Sequence, residues 1–157
     1  MELLIKRQTP LFASSPLREA ITPAVEALLR QENASPNVEI SLLLCDDATI
    51  QGLNARHRGF DKPTDVLSFA QGDPELLGDI VISLETAARQ AEAAGWPLTS
   101  ESALLAVHGT LHLLGYDDET VSGAEQMQTK TRAALTAAGI MLPAGDHPFF
   151  AEYESSP

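Results

Sequence analysis

One cysteine, Cys45, is the whole cysteine content of this 157-residue chain, so no internal disulfide can form and the fold must rest on its core. A reducing interior suits such a chain, and a cytoplasmic location is expected. Cys45 ends the run Ile40-Ser-Leu-Leu-Leu-Cys45, which reads as buried strand and makes the thiol an inert core group. Aromatic residues are scarce at 5%. No stretch approaches the roughly 20 apolar residues that a membrane-spanning helix needs, so no membrane association is expected. The opening Met1-Glu-Leu-Leu-Ile-Lys-Arg lacks the basic-then-apolar order of a secretory signal. Repeats and low-complexity tracts are missing too. Positive charge is also short: 10 Lys and Arg stand against 22 Asp and Glu, a net charge of −12. Such acidity repels phosphate at long range and argues against a broad nucleic-acid-binding face.

What is present suffices for one domain spanning residues 1–157. A chain of this length buries roughly 68–70% of its unfolded surface, and the 44% hydrophobic content can supply that core. Glu2–Lys6, Val38–Cys45, Asp65–Ala70 and Asp79–Ser83 read as short strands. Helical spacing of Leu17, Ile21, Val25, Leu28 and Leu29 marks a first helix, opening either at Ser15-Pro16 or at Thr22-Pro23. Asp46 or Asp47 caps a second, which Gly59 closes. Ser83 caps a third, which Gly95 and Pro97 stop. Thr99 or Ser100 opens a fourth, apolar on most sides and therefore central and buried. Ser122-Gly-Ala-Glu125 has the form of a capping box for a last helix ending at Gly139. The tail from about residue 143 is expected to be loosely ordered, apart from Phe149-Phe150. Strands interleaved with helices predict an α+β fold, a small mixed four-stranded sheet packed with helices.

Chemistry concentrates in His108-Gly-Thr-Leu-His112-Leu-Leu-Gly115-Tyr-Asp-Asp118. His108 and His112 stand four apart on the buried helix, so both imidazoles leave one face a turn apart and can reach one ion. Gly115 permits a turn that brings Asp118 back as a third ligand. Three protein ligands with an open position form a catalytic rather than a structural arrangement. The same residues also admit plainer roles: hydrogen-bonded core histidines, a helix-capping aspartate, a helix-ending glycine. In zinc peptidases of the His-Glu-x-x-His kind the residue after the first histidine is the general base. Here it is Gly109, so peptide hydrolysis by that route is not expected. Arg56, Arg58 and Lys62, three of the ten basic residues, fall within seven positions and make a local positive patch.

This motif resembles that of the YbeY family, described as bacterial rRNA maturation factors and metal-dependent endoribonucleases. Two further segments carry the likeness: Leu53-Asn-Ala-Arg-His-Arg-Gly-Phe-Asp-Lys-Pro-Thr-Asp-Val-Leu-Ser-Phe69 and Leu77-Gly-Asp-Ile-Val-Ile-Ser83. It spans roughly residues 38–139. The resemblance implies an α+β fold with a zincin-like metal helix, and one Zn²⁺ held by His108, His112 and Asp118. The family usually has histidine at the third position. Aspartate there makes the site more anionic and harder, and opens it to other divalent metals. By position Arg58 is the family's important arginine, implied to act in catalysis and in phosphate binding, with Lys62 and Arg56 widening the substrate-binding patch. Asp65 and Asp79 read as structural residues that orient loops.

The function so implied is hydrolysis of single-stranded RNA phosphodiesters by a metal-activated water, in rRNA maturation and ribosome quality control. The partners implied are rRNA of the small ribosomal subunit and ribosomal proteins. Two rivals remain at this stage. One is a non-catalytic ribosome assembly factor with a structural metal; the other is a metallohydrolase of small substrates.

Overall fold

Alternation along a strand sends neighbouring side chains to opposite faces of a sheet, and here both faces are apolar. In the computed structural model, which describes residues 1–10, 12–143 and 147–150, the strands are β1 (Glu2–Arg7), β2 (Glu39–Cys45), β3 (Val66–Ala70) and β4 (Leu76–Ser83). They form one mixed sheet in the order β1-β2-β4-β3, with β1, β2 and β4 parallel and β3 antiparallel to β4 at one edge. The expected α+β architecture is thus what the chain adopts.

Helices α1 (Ser14–Gln31) and α4 (Leu98–Leu113) pack against each other, and the Leu42, Leu44, Ile80 and Ile82 side of the sheet joins them in one core. Leu43, Cys45, Leu67 and Val81 face the other way, where Ile50 and Leu53 of α2 (Asp47–Arg58) cover them. Cys45 is fully buried, and burial pushes its thiol up to about 12, which makes it inert. Helices α3 (Leu84–Ala94) and α5 (Val121–Ala137) flank α4 and build a second core with α1 around Leu28, Leu104, Leu111 and Leu135. α4 is buried on nearly every side, as its all-round apolar sequence requires.

Local signals set most helix ends. The Asp46 carboxylate accepts from Thr49 N–H at 2.8 Å and starts α2, while Ser83 starts α3. Four expectations need correction. α1 begins at Ser14 with Ala13 in the cap position, just ahead of Ser15-Pro16 and well before Thr22-Pro23, and carries Pro23 inside it. α4 begins at Leu98 with Pro97 in the cap position, ahead of Thr99 and Ser100. The Ser122 to Glu125 box does not form; Thr120 caps α5 instead by accepting from Gly123 N–H at 3.0 Å. β4 also runs three residues further back than Asp79, because pairing with Glu39 of β2 extends it to Leu76. Within the tail, Phe149 and Phe150 pack on the second core and His147 is buried against Trp96; residues 144–146 and 151–157 lie outside the described part.

Candidate metal centre

α4 crosses the sheet closely at Gly109. A Cβ there would stand 2.9 Å from Ile80 Cγ2 and 3.1 Å from Ser68 Oγ, and the Ser68 hydroxyl donates to the Gly109 carbonyl at 3.0 Å. The position that carries the base in zinc peptidases is therefore pressed against β3 and β4, with no room for a side chain. His108 and His112 leave the helix on another side. Their Nε2 atoms lie 3.0 Å apart, and His108 Nε2 is 3.9 Å from Asp118 Oδ2. The ligating atoms of all three residues fall within 4.8 Å of one another.

The turn after α4 completes this grouping. Gly115 has φ +98°, a conformation that residues with a Cβ resist, and it reverses the chain. The Tyr116 carbonyl then lies 2.9 Å from His112 Nδ1. A carbonyl can only accept, so Nδ1 carries the proton and Nε2 presents its lone pair toward His108 and Asp118. Tyr116 is itself pinned: its hydroxyl donates to Glu32 at the C-terminal cap of α1, and Lys130 of α5 pairs with the same carboxylate at 2.8 Å. Burial lowers the His108 pKa below its ordinary value, and His112 adds to this while Asp118 and Asp65 pull the other way. The net direction keeps His108 neutral near pH 7, the form that binds metal.

Two imidazole nitrogens and a carboxylate oxygen are a donor set that zinc accepts. Nitrogens bonded to one tetrahedral ion at about 2.0–2.1 Å stand about 3.3 Å apart, close to the 3.0 Å seen here. One feature opposes binding. A cation on Nε2 moves the His108 proton to Nδ1, which is buried without a hydrogen-bond partner. An unpaired buried donor costs about 1–3 kcal/mol. Asp118 is half exposed and leaves the open side toward solvent.

A cavity of about 590 Å³ adjoins the trio, lined by His108, Asp118, Asp65, Gln90, His147 and Phe149 among others. Asp65, read from sequence as a loop-orienting residue, does cap Val66 N–H at 2.8 Å, yet it also forms part of this wall. Asp79 accepts from Gln71 and stays outside it. Sequence reasoning missed His147, Phe149 and Glu101. Glu101 lies seven residues before His108 on α4 and had that spacing as its only signal. His147 and Phe149 sit in an aperiodic tail and had none.

The basic residues are gathered elsewhere. Arg56 and Arg58 end α2, on the opposite face of the sheet from α4, and Lys62 follows in the loop. All three are exposed, and none lines the cavity. The loop is tied to the helix by buried Asn54, which donates to the Lys62 carbonyl at 2.9 Å, and His57 meets Phe69 of the edge strand edge-on.

Comparison with known proteins adds an independent line. Residues 4–139 match the family model described as Endoribonuclease YbeY. A protein of that name from Moorella thermoacetica is 44% identical over 137 residues, covering 79% of this chain and 88% of its own. Another, from Rhodopseudomonas palustris, is 38% identical over 148 residues, covering 85% and 76%. A solution structure of a Thermotoga maritima protein superposes with a TM-score of 0.65 at 25% identity, covering 87% of this chain and 88% of that one.

Proposed function

This chain belongs to the Endoribonuclease YbeY family, and from that premise we propose that it is a metal-dependent endoribonuclease acting on single-stranded rRNA. The observation that carries the reading is the convergence of His108, His112 and Asp118 on one open point beside a cavity. His108, His112 and Asp118 would hold a divalent ion, zinc or a harder metal, which when bound would supply water activation and positive charge for a phosphate. The chain's own groups do the rest. Tyr116 fixes the His112 tautomer. Burial keeps His108 unprotonated. Gly109 has no side chain to serve as the base.

Arg58, Arg56 and Lys62 bind the RNA backbone in this reading, with Arg58 holding a phosphate upstream or downstream of the one at the metal trio. Because that patch ends α2 rather than lining the cavity, the strand must pass round the edge of the sheet at β3 to meet both. Backbone held at two separate places favours a flexible, unpaired strand over a stiff duplex. The proposed setting is the cytoplasm, with small-subunit rRNA and ribosomal proteins as partners. None of the described helices is long and apolar enough to cross a membrane.

Cleavage of a labelled single-stranded RNA is the test. His108→Ala abolishes it, and Arg58→Ala lowers it by about tenfold at limiting RNA, the usual loss for one charge-assisted phosphate contact. Full activity in either folded variant sinks the reading. The net charge of −12 favours a second one, a non-catalytic assembly factor that docks on basic ribosomal protein around a structural metal. Metal removal separates them: a structural ion costs much of the melting temperature, whereas a catalytic one costs mainly activity.

A further inference from the structure

One wall of the cavity beside His108 is built by residues 147–149, beyond the segment that matches the family model. The strap is held by a buried anchor. Glu101 is fully buried on α4, and both of its carboxylate oxygens lie 2.9–3.0 Å from His147 Nε2. Phe149 N–H donates to His147 Nδ1 at 3.0 Å, so that nitrogen is bare and the ring proton on Nε2 goes to Glu101. Gln128 of α5 donates to the Phe149 carbonyl at 2.9 Å. Phe149 is thereby fixed with its ring 5.3 Å from that of His108.

The lining has a one-sided chemistry. Among the described residues its acidic groups are Asp65 and Asp118, and no lysine or arginine lines it. With Asp118 committed to the metal, Asp65 is the carboxylate left facing the rest of the pocket, and it disfavours phosphate there. Gln90 donates to Asp65 Oδ2 across 3.4 Å, which turns the amide carbonyl and the carboxylate into acceptors at the rim. The floor is apolar, from Ala93, Ala94, Leu104 and Leu105. A half-apolar slot with an aromatic wall and an accepting rim fits a flat, neutral, donor-edged group. Its volume of about 590 Å³ is in the range of small-molecule sites.

We propose that this pocket is a base subsite, which takes an unpaired nucleobase bearing an exocyclic amino group, packed on Phe149 with its amino edge toward Asp65 and Gln90. It rests on the endoribonuclease reading and deepens it: the metal trio faces phosphate, and the carboxylate-rimmed pocket beside it selects the neighbouring base.

Cytidine and uridine are the probes, because they lack phosphate and differ chiefly in an amino donor against a carbonyl acceptor at one ring position. Ligand-detected NMR titration of the whole chain reads their binding. Cytidine binds about tenfold more tightly than uridine, the value of one hydrogen bond to a charged acceptor. Phe149→Ala weakens cytidine about fivefold or more, as loss of base stacking does, and Phe149→Tyr retains it. Phe149→Leu keeps the apolar bulk that seats the strap and still loses affinity, which separates stacking from folding. Asp65→Asn removes the preference over uridine. Equal binding of the two nucleosides, or parental cytidine affinity in Phe149→Leu, overturns the proposal. Argininamide binding more tightly than cytidine also overturns it, and assigns the pocket to a basic protein side chain. Lost RNA cleavage with the cytidine preference intact counts against the endoribonuclease reading alone; the reverse counts against this subsite alone.

Discussion

Gly109 carries a stability cost that can be measured at a single carbon. Alanine there puts its Cβ 2.9 Å from Ile80 Cγ2 within a closed core, so Gly109→Ala is expected to destabilise by about 1–3 kcal/mol in urea unfolding. A change below about 0.5 kcal/mol would show that the helix-to-sheet approach is looser than described. The same contact means that Gly109→Glu cannot install a peptidase base without displacing α4. His108, His112 and Asp118 were legible because helix periodicity and one glycine turn are local properties. The reason for Gly109 was not, because Ser68 and Ile80 reach it only through the tertiary fold. Asp65 was half legible: its capping bond to Val66 is local, while its place in the cavity wall depends on α3 and α4.

At the element scale, Asp47 joins the starts of α2 and α3. Its carboxylate accepts from the Ser83 and Thr86 hydroxyls at 2.6 Å each and from Arg89 at 2.9 Å. Burial pushes this carboxyl up, but the three hydrogen bonds outweigh it and hold the pKa below the ordinary aspartate value. The folded state therefore binds the proton less readily than the unfolded chain does. The resulting stability is fully present above the unfolded value, about 3.9, and is lost as pH falls through the folded one. Urea midpoints at pH 6 and pH 3 should differ more for the parent than for Asp47→Asn; an equal drop in both would remove Asp47 from the acid response. Helix starts made by one side chain, at Asp46 and Ser83, were readable in sequence. The start of α5 was misread because Thr120 and Ser122 both carry hydroxyls, and only the path of the preceding turn decides which one meets a free N–H. β4 was cut short for a similar reason, since its first residues are strand only through their pairing with β2.

At the scale of the whole molecule, the acidic body and the small basic patch set how RNA binding responds to salt. If Arg56, Arg58 and Lys62 supply the phosphate contacts, three ion releases on a single strand give a log–log slope of about −2. Arg58→Ala should make that slope shallower by about 0.7. A slope several times steeper would mean a basic surface far larger than these residues form, which a net charge of −12 does not supply.

The central claim, that His108, His112 and Asp118 jointly hold one cation, is tested most directly by anomalous X-ray scattering from crystals grown with one equivalent of Zn²⁺. The expected map has a single strong peak, about 2.0–2.2 Å from His108 Nε2, His112 Nε2 and an Asp118 carboxylate oxygen. A peak elsewhere, or Asp118 turned away while the two rings stay paired with each other, would contradict it.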